Sequence, residues 1–398
     1  MKYLAVIGRN KVLSLAELES LYGKVHDLGG GCASFESADN VNIDRLGGCM
    51  KLARLIEKPL MEWLMGLPEG KITLGVSDYS RGATGRSVKA EAIKLKKILV
   101  RHGRSVRVVL GEGAVLSTAT VLHNGLGRGS SGRKVELIRL DGKWYAGCGV
   151  QDIDAYTRRD QARPARDAKV GMLPPKLAQI LVNLCGLLPE GARVLDPFCG
   201  TGVVLQEALL MGYQVYGTDI DERMIRYTEK NLEWLMSRNK EAYFVGRVQN
   251  PCRHRGFGAI SRAAALRNTH EIASSVSVGS ATEFVWEQPV DAVACEAYLG
   301  PPLKTVPTEI ELKEIQQEIN SLLSATLKNL SKQLKSGTPV VMAVPAWLRP
   351  NGEYEGLNLL DETDNLGYNV KKFVSRGRLL YHREGQVVAR EIIVLRKK

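Results

Sequence analysis

Apolar positions follow two different rhythms along this chain. In the first part they form short runs set apart by turn residues: Tyr3–Ile7 predicts a strand and Gly8–Asn10 a turn. Ser14 and Glu17 then form the S-x-x-E pattern of a capping box, ahead of a helix over Leu15–Leu21. A longer helix is predicted over Val88–His102, because Val88, Ala92, Leu95 and Leu99 share one face while Lys89, Lys94, Lys97 and Arg101 lie mostly on the others. Strands are predicted over Val106–Leu110, Ala119–Leu122, Val135–Leu140 and Trp144–Gly149. The mixture reads as an N-terminal α+β region over residues 1–154.

The stretch Tyr156–Gly171 is polar and arginine-rich with few apolar anchors, and a linker is assigned to residues 155–175. Pro174 and Pro175 stand where the next helix, Lys176–Leu188, begins. Strands and helices then alternate: strand Ala192–Leu195, helix Val203–Met211, strand Gln214–Thr218, helix Glu222–Met236, strand Ala292–Cys295, helix Glu309–Leu334 and strand Val340–Val344. Such alternation implies a parallel sheet with helices on both faces, so the fold class expected for residues 176–398 is α/β and Rossmann-like. The tail Arg378–Arg396 reads as an antiparallel hairpin around Arg383–Gln386, which narrows the class toward methyltransferases rather than dehydrogenases. Residues Arg238–Ser274 fit neither rhythm, carry seven Lys/Arg and read as a basic insertion.

Composition changes this picture in three ways. First, 398 residues with 44% hydrophobic and 25% charged content describe a folded chain of more than one core. Second, no 18-residue apolar run is present, and the apolar N-terminal run is stopped by Arg9, so no membrane association and a cytoplasmic location are expected. The seven cysteines are scattered without C-x-x-C spacing or clustered histidines, so neither a disulfide framework nor a metal site is expected. Third, the net charge of +12 is unevenly spread: Asp78–Lys143 holds fourteen Lys/Arg against five Asp/Glu. Nucleic acid is the natural partner of such a patch, because each phosphate contact releases counterions. Arg81, Arg86, Lys97, Arg101, Arg128 and Arg133 are the candidate RNA-binding residues; a merely solvated surface is the alternative.

The strongest chemical signal is Val194–Gly202, VLDPFCGTG: a strand ending in Asp196, two glycines permitting a tight turn, then a helix. A helix N-terminus favours a carboxylate, and without a G-x-G-x-x-G the methionine carboxylate of S-adenosylmethionine suits this turn better than a pyrophosphate. Asp196 could then meet the cofactor's cationic amino group. One strand later, VYGTDID places Asp219 where an acid can accept both ribose hydroxyls. Candidate cofactor-binding residues are Asp196, Pro197, Phe198, Gly200, Thr201, Gly202, Asp219 and Ile220.

DPFCGTG, together with RDQARPARDAKVGMLPPKLAQILVNL over 159–184, resembles the THUMP-domain tRNA guanosine-N2 methyltransferases of archaea and eukaryotes, which act on tRNA guanosine 10. IGRNKVLSLAELESL (7–21) and VQDIDAYTRRD (150–160) resemble that family's opening domain and linker junction. The resemblance implies a ferredoxin-like domain plus THUMP that grips tRNA, followed by a class I methyltransferase core. It also implies that Arg163, Pro164, Met172, Leu173 and Pro174 lie beside the cofactor's methionine end; Met172 and Leu173 would equally serve as packing under the linker.

Two stretches depart from the family pattern. In VGSATEF, Ser280 replaces an acid expected beside the adenine amino group, and Ser280 with Ala281 completes the cofactor candidates. The catalytic signature, Asp or Asn followed by two prolines and an aromatic, is here Glu296-Ala297-Tyr298-Leu299. An exocyclic base amine is a poor nucleophile, so such a site needs hydrogen-bond acceptors for the amine and a stacking face for the flipped base. Glu296 and the Ala297 carbonyl can accept, and Tyr298 can stack, although glutamate is one methylene longer and the ring is displaced by one residue. A buried structural Glu296 is the alternative.

The expectation is thus an S-adenosylmethionine-dependent methyltransferase acting on an exocyclic amine of a tRNA base, with guanosine N2 as the target. A catalytically degenerate tRNA-binding protein and an amino-group methyltransferase acting on DNA stay open. The partner expected is tRNA, and the need for a small activating protein is left open.

Overall fold

Where a run of apolar residues meets a turn, the chain folds back on itself, and in this way two sheets are built. The computed structural model describes residues 1–127, 132–167, 172–246, 275–373 and 377–398, with side chains omitted for 238–246. The chain divides into two compact units, with boundaries between Thr157 and Arg158 and again after Arg238.

The first unit contains β1 (Lys2–Ile7), α1 (Lys11–Tyr22), β2 (Val25–Gly29), β3 (Cys32–Glu36), β4 (Cys49–Leu55), α2 (Leu60–Met65), β5 (Ile72–Asp78), α3 (Gly85–Arg101), β6 (Val106–Val109), α4 (Thr118–His123), β7 (Lys134–Leu140) and β8 (Lys143–Val150). Its sheet has eight strands in the order β2-β3-β1-β4-β8-β7-β5-β6. Val88, Ala92, Leu95 and Leu99 form the buried face of α3, as the helical spacing predicts, and pack against Ile72, Leu74 and Val135.

Two expectations are corrected in this unit. The cap of α1 is Asn10, whose side chain accepts from Leu13 N at 3.1 Å, so Ser14 and Glu17 lie inside the helix. There they clamp a distant turn: the Glu17 carboxylate accepts from Gly47 N and Gly48 N at 2.8 Å each, and Ser14 Oγ donates to Gly48 O. Second, Ala119–Leu122 is not a strand but part of helix α4, because Ser117 caps it by accepting from Thr120 N at 3.0 Å.

A buried ion pair joins the two halves of this sheet. Lys51 on β4 and Glu136 on β7 are 2% and 1% exposed, and Lys51 Nζ donates to Glu136 Oε1 at 2.6 Å and to Leu116 O at 2.7 Å. Ser77 Oγ on β5 donates to the same carboxylate oxygen at 2.5 Å and accepts from Leu116 N at 2.9 Å. The pair spans β8, where Gly147 leaves the room: a Cβ there would stand 3.2 Å from Glu136 Cβ.

Helix α5 (Ile153–Gln161) crosses the boundary between the units, so the first part of the expected linker is helical. The second unit continues with α6 (Pro175–Leu184), β9 (Arg193–Asp196), α7 (Val203–Leu210), β10 (Gln214–Asp219), α8 (Glu222–Gly246), β11 (Val276–Val278), β12 (Ala292–Glu296), α9 (Glu309–Gln333), β13 (Pro339–Leu348), β14 (Tyr354–Glu355), α10 (Leu359–Glu362), β15 (Tyr368–Val370), β16 (Leu380–Tyr381) and β17 (Val388–Lys397). Helix α6 ends sooner than its apolar run suggests, since Gly186 turns left-handed at φ +93°. Of the expected insertion Arg238–Ser274, the structure describes only the backbone of α8 to Gly246; the rest lies outside the described residues.

The strand order is β11-β10-β9-β12-β13-β17-β15, with β14 and β16 paired at the side. Strands β9 to β13 run parallel, whereas β17 runs antiparallel beside β13, from Pro339↔Arg396 to Trp347↔Val388. This is a Rossmann-like α/β sheet with an antiparallel end, as read from the alternating pattern and the C-terminal hairpin. Leu195, Val293, Cys295, Val340 and Met342 present one face of it to Leu312, Ile319, Leu323 and Leu327 of α9. The reversal of strand order beside β9 opens a crevice at the carboxyl ends of β9, β10 and β12, where ligands bind in open α/β sheets.

Candidate functional site

Strand β9 delivers Asp196, 2% exposed, to the start of the glycine turn. Gly200 and Gly202 have φ of +52° and +79°, the left-handed region in which a side chain is strained. Gly202 caps α7, and a Cβ there would fall 2.8 Å from Thr228 Cγ2, so glycine is required for both conformation and space. At Gly200 a Cβ would meet nothing nearer than Phe198 O at 3.9 Å, which leaves an open face on the turn. Among the bonds that hold this loop, Gly200 N donates to Asp219 Oδ2 at 2.8 Å, Thr228 Oγ1 to Gly200 O at 2.8 Å, and Asn231 Nδ2 to Thr201 O at 2.9 Å.

Two acids at the turn, Asp196 and Asp219, hold their protons more tightly than usual. Burial pushes the Asp196 carboxyl well above the ordinary carboxylate range; a hydrogen bond from Phe198 N opposes this, and the charges of Asp219 and Glu296 add to it. Asp219 is raised chiefly by burial too, opposed by bonds from Asp221 N and Gly200 N. Asp219 O accepts from Gly279 N at 2.9 Å, which brings the Ser280–Ala281 turn to the end of β10. Ser280 Oγ lies 2.8 Å from Thr282 Oγ1, Ala281 is buried with its carbonyl bonded by Asn329, and Ile220 is 76% exposed beside Asp219.

The arginine-rich connector is built into this unit. Arg159 forms a bidentate pair with buried Glu207 of α7, at 2.7 and 3.2 Å. Asn231 on α8 closes both polar groups of Ala165, accepting from its N at 3.0 Å and donating to its O at 2.9 Å. One amide therefore clasps the connector and the glycine turn together. Arg163 is 4% exposed, yet among the described residues its Nε and Nη1 have no hydrogen-bond partner, while Nη2 lies 3.9 Å from Met172 Sδ. Leu173 is buried, and Pro174 caps α6.

Glu296 ends β12, and Ala297 extends the sheet by donating its N–H to Ala343 O at 2.9 Å. Tyr298 is 43% exposed, so its ring face is open to a partner. Arg390, a buried residue of β17, donates from Nε to Glu296 Oε1.

Asp196, Asp219 and Glu296 thus converge at one edge of the sheet, within electrostatic reach of one another. In the first unit, Arg81, Arg86, Lys97 and Arg101 are exposed. Arg133 is half-buried and gives Nη1 to Glu69 O at 2.9 Å, and Arg128 lies outside the described residues. Thr228, Asn231, Arg159 and Arg390 escape sequence reasoning, because no local motif marks a polar residue whose partner is tens of residues away. The buried polar position of Asn231 within the amphipathic pattern of α8 is the one available signal.

Residues 163–250 match the family described as UPF0020, RMKL-like methyltransferase domain. Over those residues the chain is similar to a methyltransferase domain. The matched stretch takes in Arg163, Met172, the glycine turn, Asp219 and Asn231, and it ends before Ser280 and Glu296. The chain is also similar to two archaeal proteins named tRNA (guanine(10)-N2)-dimethyltransferase. One, from Methanothermobacter thermautotrophicus, is 51% identical over 76 residues, 19% of this chain and 22% of its own length. The other, from Methanocaldococcus jannaschii, is 54% identical over 100 residues, 25% of this chain and 28% of its own. The matches thus span about a quarter of the length of these relatives. A solved structure of TrmN from Thermus thermophilus aligns over 100% of both chains, with a TM-score of 0.43 and 20% identity. Among the described residues, no helix is long and apolar enough to cross a membrane, and no group of three His, Cys, Asp or Glu could hold a metal ion.

Proposed function

We propose that this chain is an S-adenosylmethionine-dependent methyltransferase that modifies an exocyclic amine of a tRNA base, guanosine N2. Arg163 is the observation that carries the cofactor assignment. A guanidinium buried with two donors unpartnered among the described residues is costly, and an anionic group from a ligand removes that cost. The open face at Gly200 and the acids Asp196 and Asp219 supply the remainder of a zwitterionic nucleoside site. In this assignment Arg163 and the α7 N-terminus take the carboxylate, Asp196 the ammonium, Asp219 the ribose hydroxyls, and Ser280 with Ile220 flank the adenine. Bound there, the cofactor supplies an activated methyl group. Glu296 accepts a hydrogen bond from the target amine, raising electron density at its nitrogen, and Tyr298 stacks the flipped base.

The base is assigned from the names of the archaeal relatives and the tRNA from the exposed arginines of the first unit, which is proposed to be a ferredoxin-like plus THUMP region. Arg81, Arg86, Lys97 and Arg101 would contact backbone phosphate, positioning the RNA without reading its sequence. A cytoplasmic location accompanies this reading.

The test is transfer of labelled methyl from S-adenosylmethionine to unmodified tRNA transcripts, followed by nucleoside identification; labelled N2-methylguanosine is expected. Label in another nucleoside overturns the base assignment, and label in DNA alone overturns the RNA one. One observation favours a second reading, a tRNA-binding protein without turnover: Glu296 is already engaged by Arg390. Bound tRNA with no label would select that reading.

A proton is also expected to leave when the cofactor binds. The Asp196 carboxyl is raised when alone, and an ammonium beside it lowers it again. Between the ordinary and the raised value, affinity should therefore climb with pH, then level off above the raised value. Calorimetry in buffers of different ionisation enthalpy reads this directly, and an enthalpy independent of buffer in that window would remove Asp196 from the ammonium contact. The sign for the free domain is the opposite: its folded state holds the proton longer than the unfolded chain, so stability falls as pH rises through the same window.

A further inference from the structure

Glu296 and Arg390 come from strands that do not touch. In the sheet, Glu296 on β12 lies beside Ala343 on β13, and Ala343 beside Ile392 on β17; Arg390 is one step further along, opposite Pro345. Because side chains alternate across a sheet, Glu296, Ala343, Pro345, Ile392 and Arg390 share one face. The residue between the two charges is alanine, whose methyl leaves space for the carboxylate and the guanidinium to meet above β13. Arg390 spends Nε on Glu296 Oε1. Glu296 Oε2 and both Arg390 Nη atoms make no hydrogen bond among the described residues, and Glu296 keeps 17% side-chain exposure. The carboxylate is thus held by one oxygen, with the other left free at the carboxyl end of the strand.

We propose that Arg390 is the positioning residue of this site: it fixes the Glu296 carboxylate in one orientation, so that Oε2 receives the target amine. The assignment rests on the proposed function. Its physical motive is the sequence at 296–298. Glu296 carries three side-chain torsions, and no proline follows it at 297 or 298. A carboxylate on that tether would wander, and misplacement by an ångström is enough to cost about a hundredfold in rate. A charge-assisted hydrogen bond from a buried, strand-borne arginine removes that freedom. Arg390 acts here through Glu296 and touches no reacting atom.

The experiment is a double-mutant cycle on the full chain with Arg390→Met, Arg390→Lys, Glu296→Gln and the pair Glu296→Gln with Arg390→Met. Turnover on tRNA, KM for tRNA, cofactor binding by calorimetry and the thermal midpoint are read for each. Arg390→Met is expected to lower kcat about a hundredfold with KM and cofactor affinity unchanged. Arg390→Lys should recover part of that loss, since it keeps the charge but lacks the guanidinium fork. The double variant should be no slower than Glu296→Gln alone, because the arginine has nothing left to position. Losses that multiply in the double variant would overturn the assignment, as would an unchanged kcat in Arg390→Met. A raised KM for tRNA with kcat intact would overturn it too, making Arg390 a substrate contact. Should Arg390→Met fail to fold, Arg390→Lys decides alone: reduced kcat with an unchanged midpoint supports the role, and full activity ends it. A wild-type chain without methyl transfer overturns the proposed function and this assignment with it, a result distinct from each of the others.

Discussion

Glu296→Gln is expected to lower turnover on tRNA by about a hundredfold to a thousandfold while tRNA affinity stays within a factor of about two. The amide keeps the shape of the side chain and one acceptor oxygen but loses the negative charge that draws on the amine's proton. The charge is felt most as the amine nitrogen becomes positive during transfer, so the loss should appear in kcat rather than in KM. Single-turnover methyl transfer with cofactor and tRNA both saturating is the appropriate measurement. Unchanged turnover would assign Glu296 to structure, paired with Arg390 to seal the end of β12. A loss in KM alone would mean that the carboxylate helps hold the RNA equally before and during reaction. The variant also tests the surroundings: with Glu296 neutral, Asp196 loses one of the charges that raise it, and its proton should be released at lower pH.

The second large effect is on stability, far from the chemistry. Lys51→Met by itself should cost about 3–5 kcal/mol, because it strands a carboxylate that is 1% exposed between β4, β5 and β7. Combined with Glu136→Leu, most of that loss should return, since an apolar pair of similar volume carries no desolvation penalty. Hydrogen exchange on the full chain can read this locally: peptides from β4, β5 and β7 should lose protection in the single variant and regain it in the double. A single variant with undiminished protection would show that the buried pair contributes nothing net. Ser77 Oγ bonds the same carboxylate, so Ser77→Ala should be additive with neither change.

What could be read from the sequence followed the range of the interactions involved. The buried face of α3 was fully legible, because four apolar residues at helical spacing need only one neighbouring sheet to explain them. The glycine turn was legible for a similar reason: its conformation is fixed within a few residues, and its acid partner Asp219 comes one strand later. The capping pattern at Ser14 and Glu17 misled because the same residue types can serve a tertiary turn. Asn10 caps the helix instead, and the Gly47–Gly48 amides bind the Glu17 carboxylate. Ala119–Leu122 misled because four apolar residues suit a strand or a single helical turn equally, and only Ser117 decided between them. The partners of Glu296 and Thr201 lay beyond reach: Arg390 is 94 residues from one and Asn231 30 residues from the other, and no periodicity announces either.

The clasp made by Asn231 also bears on how this chain can be divided. By composition, residues 155–175 are the place to cut, with the catalytic half starting at α6. A fragment beginning at Pro175 would lack Ala165 and Arg159. The Asn231 amide and the Glu207 carboxylate, 0% and 1% exposed in the whole chain, would then be left without those partners. Each would have to find water or shift the helix that carries it, and α7 and α8 are the helices that shape the glycine turn. A fragment that keeps these partners therefore begins upstream of Arg158, inside α5, and a proteolytic nick between 162 and 167 is expected to disturb the proposed cofactor turn without touching it.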